Sequence, residues 1–136
     1  TDLDIALIEQ PITAGREHPG SLPRGGIPFC ADESLHTEAD LPRLRAAGYT
    51  ALNVKLDKCG GLTSALELIR TAKTEGFTIM AGCMVASSLA MAPMMVLESF
   101  ADYIDLDGPL LLGKDCKDGL KYDGPAIHAP TRELWG

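Results

Sequence analysis

A chain of 136 residues, 46% hydrophobic and with a mean hydropathy of +0.06, has the size and composition of at most one soluble domain. Its net charge of −7, with no block of Lys or Arg, excludes a phosphate backbone and an anionic membrane surface as partners. The scattered Cys30, Cys59, Cys83 and Cys116 form no C-x-x-C pair and are too sparse for a secreted disulfide scaffold, so a cytoplasmic protein is expected.

The chain opens without Met and runs straight into a strand-like segment, with neither a basic leader nor a membrane-length apolar run. A piece of a longer protein is therefore expected. Ile5–Ile8 is the first apolar, β-prone run, and it ends at Glu9. The following stretch, Thr13 to Gly26, is too rich in Gly and Pro for a helix and reads as a loop or one short turn. Ile27–Ala31 is the second run and ends at Asp32, with a helix expected from Glu38 to Ala47. Thr37 or Asp40 would cap that helix, and Pro42 falls in its first turn, where proline is tolerated.

Ala51–Val54 forms the third run and ends at Lys55. The best helix of the chain follows, from Leu62 to Glu75, with Leu62, Ala65, Leu66, Ile69 and Ala72 at helical spacing, Thr63 or Ser64 as cap and Gly76 at its close. Thr78–Ala81 leads to Cys83. A helix from Ser87 to Phe100 comes next, apolar nearly all round despite Pro93, and so is expected to be buried on more than one side. Tyr103–Ile104 runs into Asp105 and Asp107. Successive strand ends lie 22 to 28 positions apart, which is the signature of repeated βα units on a parallel sheet.

In such folds ligands gather at the carboxyl ends of the strands, so the residues ending each run should converge. Glu9 and Asp32 are hard oxygen ligands of the kind Mg²⁺ takes, although helix capping or a Lys partner would explain them equally well; Glu33 points the other way. Lys55 shares a face with Asn53. Burial and a nearby metal would lower its pKa toward that of a general base, and a salt bridge to Asp32 or Glu9 is the alternative. Lys58, beyond the strand and before Gly60-Gly61, reads as a solvated loop lysine. Structural packing is the default for Cys83, and the backbone N–H groups at the start of the Ser87–Ser88 helix suit a carboxylate. Asp105 and Asp107, at i and i+2 of the fifth strand, are expected to share a face and present paired carboxylates to a cation.

Taken together, "LIEQP", "CADES", "NVKLDKCGG", "GCMVASS" and "DLDGPLLL" resemble, in order, the strand-end motifs of the enolase superfamily, in its muconate-lactonizing subgroup, and most closely those of the dipeptide epimerases. The resemblance runs from about residue 5 to residue 113. It implies an α/β fold, the C-terminal part of a TIM-like (β/α) barrel with parallel strands and outer helices. Residues 1–136 would supply about the last five strands, and the capping domain and first strands would lie outside the sequence. It also implies that Glu9 and Asp32 are two of the Mg²⁺ ligands, that Lys55 is one of two catalytic lysines, and that Cys83 lines the substrate pocket. Asp105 and Asp107 would hold the ammonium of a small-molecule dipeptide of the L-Ala-Glu type from cell-wall peptide turnover.

The implied reaction is a 1,1-proton transfer through an enediolate, with a base on each face of the carbon. The second base of the family lies in a K-x-K motif, and this sequence contains none, so the chain by itself is expected to be inactive. A cycloisomerase or o-succinylbenzoate synthase shares the metal and lysine scaffold but has less use for the Asp pair. A non-catalytic half-barrel is the reading from a different class. Nothing in the sequence sets the oligomeric state, and a homo-oligomer stays open.

Overall fold

The computed structural model describes residues 3–136. Five strands, β1 (Ile8–Glu9), β2 (Phe29–Ala31), β3 (Ala51–Val54), β4 (Thr78–Gly82) and β5 (Tyr103–Asp105), form one parallel sheet in which each pairs with the next in sequence. Register is carried by Glu9 opposite Cys30, Cys30 opposite Ala51, Asn53 opposite Met80 and Gly82 opposite Asp105. The first two strands are shorter than their apolar runs. Pro28 has no N–H to give to the ladder, so pairing begins only where Ile8 N donates to the Pro28 carbonyl.

On one side of the sheet Ala31, Leu52, Val54, Ile79 and Ala81 pack beneath the helices, in the main core. The alternate residues Cys30, Ala51 and Met80, with Leu7 and Tyr103 against them, form a smaller buried cluster on the opposite face. The period of two therefore sorts each strand into a helix-facing set and an inner set, and the inner set leads to the polar strand ends.

Crossovers are helical except the first. Residues 10–28 run as irregular turns, as their Gly and Pro content predicts. The expected Glu38–Ala47 helix is split into a 3₁₀ turn, Glu38–Asp40, and α1 (Leu41–Ala47), with Pro42 inside the first turn. The Asp40 carboxylate accepts from the backbone N–H groups of His36 and Thr37. After β3 come a single turn, α2 (Leu56–Cys59), and the longer α3 (Leu62–Thr74), whose Ala65, Leu68, Ile69 and Ala72 are buried. Gly61, rather than Thr63 or Ser64, takes the capping position of α3, because Gly60 and Gly61 both turn with positive φ.

The apolar segment after β4 is α4 (Ser88–Met94) followed by a 3₁₀ stretch, Met95–Phe100. Pro93 supplies no N–H to continue the α-helical ladder. Met91, Met94 and Leu97 are buried while Leu89, Val96 and Phe100 are exposed, so only one side of this segment is covered among the described residues. A short antiparallel hairpin, β6 (Tyr122–Asp123) and β7 (Ala126–Ile127), and the final turn α5 (Arg132–Trp135) complete the chain.

Candidate active site at the carboxyl ends of the strands

The inner face of the sheet brings four of the expected strand-end residues together. A cleft of about 710 Å³ is lined by Glu9, Asp32, Lys55 and Asp105, with Gln10 and Glu33 beside them and Thr13–Ala14 of the first loop as one wall. Glu9 follows Leu7, Asp32 follows Cys30, and Lys55 follows Asn53 and Ala51 in strict alternation, which is why they emerge on this side.

Asp32 is buried and is the hub of the cleft. Its Oδ2 accepts from Lys55 Nζ at 2.6 Å, and its Oδ1 accepts from Lys58 Nζ, which also donates to the backbone carbonyls of Asp32 at 2.6 Å and Asn53 at 3.2 Å. Lys58 is thus not a solvated loop lysine. From the first turn of α2 its side chain folds back under the β2 and β3 ends, and only 12% of it remains exposed. Burial would lift the Asp32 carboxyl, but the two ammonium groups outweigh it and hold it below the ordinary carboxylate range. Burial dominates at Lys58 and lowers its pKa. At Lys55 the salt bridge to Asp32 is the alternative observed. Burial favours its neutral form, yet the hydrogen bond and charge of Asp32, with Glu9 and Glu33 beyond, raise its pKa, and it stands here as an ammonium.

Glu9 Oε1 accepts from Asn53 Nδ2 at 2.6 Å, across the intervening β2. Partial desolvation raises the Glu9 carboxyl; the Asn53 bond opposes that, and the neighbouring Asp32 charge reinforces it. Asn53 is 1% exposed, and its Oδ1 has no hydrogen-bond partner among the described residues. That side chain fits because residue 82 is glycine: a Cβ there would lie 2.7 Å from Asn53 Nδ2, 2.8 Å from Cγ and closer still to Oδ1.

Gln10 is a functional neighbour that sequence reasoning passed over. Its φ is +38°, and this turn aims the amide into the β2 end. Oε1 accepts from Asp32 N at 2.8 Å and from Ser34 N at 3.3 Å, while Nε2 donates to Ile12 O, Ser34 Oγ and Tyr49 Oη. Behind it the buried Glu17 accepts from Ser34 Oγ, Gly15 N and Arg43 Nη1, so the Gly- and Pro-rich loop is tied to the sheet by a carboxylate. The adjacency of Gln10 to Glu9 was the only available signal. Nothing local marks Glu17, whose partners lie as far as 26 residues away.

At the far edge, Asp105 ends β5 and Asp107 follows after the buried Leu106, already in a helical turn conformation with φ −85° and ψ −4°. The pair is therefore not a continuous strand face, yet the two charges remain close. Partial burial and then the Asp107 charge raise the Asp105 carboxyl, against the pull of Lys55. Cys83 packs against the main core beside Gly108, and its thiol is raised by burial, with the charges of Asp105 and Asp107 adding to the effect. Of these residues only Asp105 lines the cleft; Cys83 and Asp107 do not. The start of α4 has already taken its carboxylate from this chain, because Asp115 accepts from Ser88 N at 2.9 Å and from Ser88 Oγ.

Glu9 and Asp32, two hard carboxylates on adjacent strand ends, fit as part of an octahedral magnesium site completed by water, substrate oxygens and a further ligand. Among the described residues no group of three or more His, Cys, Asp or Glu is placed to hold a metal. No helix among them is long and apolar enough to cross a membrane.

The chain is 51% identical over 134 residues to the N-acetyl-D-glutamate racemase of a Pseudoalteromonas species, covering 98% of this chain and 42% of that protein. It is 38% identical to the L-Ala-D/L-Glu epimerase of Escherichia coli, covering 93% of this chain and 39% of the relative. A solved enolase family member from Agrobacterium tumefaciens, with homology to dipeptide epimerases and with sodium and L-Ala-L-Glu bound, superposes with a TM-score of 0.89 at 47% identity. That match covers 97% of this chain and 40% of the other. The chain thus spans about two-fifths of the length of these relatives. Residues 1–133 match the family described as enolase C-terminal domain-like, and with its five parallel strands in sequential order and its carboxylates and lysines at their carboxyl ends, the chain belongs to that family.

Proposed function

We propose that this chain provides the last five barrel strands of a Mg²⁺-dependent, cytoplasmic epimerase that inverts the α-carbon of dipeptides of the L-Ala-Glu type. The remaining strands, a capping domain, a further metal ligand and a second base would be supplied by residues outside this sequence. The single observation that carries the reading is the convergence of Glu9, Asp32, Lys55 and Asp105 on one cleft.

Each residue has a defined task. Glu9 and Asp32 would hold the metal, which when bound supplies Lewis-acid stabilisation of charge developing on the substrate carboxylate. Lys55, at the β3 end beside Asp32, would exchange a proton with one face of the α-carbon. Asp105 and Asp107 would accept charge-assisted hydrogen bonds from the free amine of the substrate. Lys58 and Gln10 keep Asp32 in place by holding its side chain and its backbone N–H, respectively.

One second reading has specific support. The racemase at 51% identity is named for N-acetyl-D-glutamate, whose acyl group is a bare methyl where an Ala-Glu dipeptide carries an ammonium-bearing carbon. Both substrates are N-acylated glutamates, so the same proton transfer serves either, and the acid pair distinguishes them. The test is exchange of the α-proton in D₂O, followed by NMR with the whole protein and Mg²⁺, for L-Ala-L-Glu and N-acetyl-L-glutamate. Exchange of the dipeptide that falls selectively in Asp107→Asn supports the first reading. Exchange of N-acetylglutamate alone, unaffected by Asp107→Asn, favours the second, and exchange of neither refutes both.

A further inference from the structure

The acid pair is part of a short segment whose backbone is fixed from the C-terminal hairpin. Leu106, between Asp105 and Asp107, is 1% exposed, and its side chain is sealed into the main core. Its carbonyl leaves the sheet at the end of β5 and accepts a hydrogen bond from Tyr122 Oη at 2.8 Å. Among the described residues this is its only hydrogen-bond partner. Tyr122 is sixteen positions away on β6, and the hairpin is itself anchored: Leu120 N donates to Ser88 Oγ at 2.8 Å, and Leu120 and Ile127 pack against the core.

The next residue tightens the same turn. A Cβ on Gly108 would lie 2.5 Å from the Met84 carbonyl and 3.2 Å from Cys83 Sγ, so the chain rests directly on the loop after β4. The peptide joining Leu106 to Asp107 thus has a side-chain anchor before it, a close backbone contact after it and one hydroxyl on its oxygen. Burial followed by the charges of Cys83, Asp115 and Asp107 pushes the Tyr122 phenol up to about 12, so it remains a neutral donor at physiological pH.

Building on the dipeptide reading above, we infer that Tyr122 is a positioning residue for recognition of the substrate amine: its hydroxyl fixes the Leu106 carbonyl and thereby the direction in which Asp107 presents its carboxylate beside Asp105. Tyr122 does not touch substrate. It acts through the peptide plane, and its contribution is confined to ligands with a cationic amine.

The experiment measures KM and kcat of the whole protein for L-Ala-L-Glu and N-acetyl-L-glutamate in wild type, Tyr122→Phe and Asp107→Asn, with a competitive inhibition constant replacing KM for any ligand not turned over. Phe keeps the ring and removes only the hydroxyl. The expected result is a KM for the dipeptide raised about threefold to tenfold, the worth of one hydrogen bond, with N-acetylglutamate unchanged within about twofold. Equal losses for both ligands would make Tyr122 merely structural, and no change for either would make its hydroxyl idle; each outcome overturns the inference. If Asp107→Asn is selective for the dipeptide and Tyr122→Phe is not, the inference alone fails. If Asp107→Asn is not selective, the amine clamp fails and the role of Tyr122 falls with it.

Discussion

Gly82→Ala places a methyl group against the Asn53 amide. The new Cβ would sit 2.7 Å from Nδ2 and 2.8 Å from Cγ, inside van der Waals contact, and Asn53 is only 1% exposed. Two responses are available. Either Asn53 stays and the strands absorb the overlap, at roughly 1–3 kcal/mol for overpacking, or it rotates and gives up its bond to the Glu9 carboxylate, worth roughly 1.5–3 kcal/mol. The two routes cost about the same, so a destabilisation of about 1–3 kcal/mol is expected whichever is taken. Asn53→Ala removes the obstacle, and in that background Gly82→Ala should cost almost nothing beyond its own propensity. The assay is a double-mutant cycle by urea denaturation of the whole protein, with midpoints read at constant slope. An interaction energy near zero, with Gly82→Ala equally costly in the wild-type and Asn53→Ala backgrounds, would refute the packing argument.

Three further outcomes follow from the same geometry. Glu17→Gln should lose roughly 1–3 kcal/mol at pH 7 by weakening the bonds to Ser34, Gly15 and Arg43. Those bonds depress the folded carboxyl against the opposing effect of burial. The contribution is therefore complete above the unfolded carboxylate pKa and is lost as pH falls through the folded value, so wild-type and variant stability should converge in acid; a gap that widens on acidification contradicts this. Lys58→Met should destabilise by about 1–3 kcal/mol in thermal or urea melts, whereas a solvated lysine would change stability by less than about 0.5 kcal/mol. Asp115→Ala should cost about 0.5–2 kcal/mol and speed amide hydrogen exchange at Ser88 and the first turn of α4. Unchanged exchange there would remove Asp115 from its capping role.

The strands and their polar ends were legible because alternation and the spacing of successive βα units are local properties. Ala51–Val54 is observed as read, and Lys55 emerges beside Asp32 as one of the two weighed alternatives required. The residues that sequence reasoning missed are those whose role depends on a long reach. Lys58 lies three positions beyond Lys55, and only the turn of α2 sends its side chain back to Asp32. Glu17 occupies a segment whose composition signals a loop and carries no sign of burial, since the polar partners that satisfy it belong to Ser34 and Arg43. The lowering of the Lys55 pKa was expected from burial and a nearby metal; with Asp32 bonded to its ammonium, the salt-bridge alternative describes this structure and the shift is upward. At the anion-binding start of α4 the chemistry was right, but the carboxylate was the chain's own Asp115.

The bond from Asn53 to Glu9 passes over an entire strand. Only two residues of β1 pair with β2, against four between β3 and β4, so the β1–β2 pairing should open more readily than that of β3. The Glu9 side chain, however, is fastened to β3, an interior strand with all four residues buried. A brief loss of the β1 ladder therefore need not release the carboxylate. The position of this carboxylate therefore follows β3 as well as the two-residue pairing of β1.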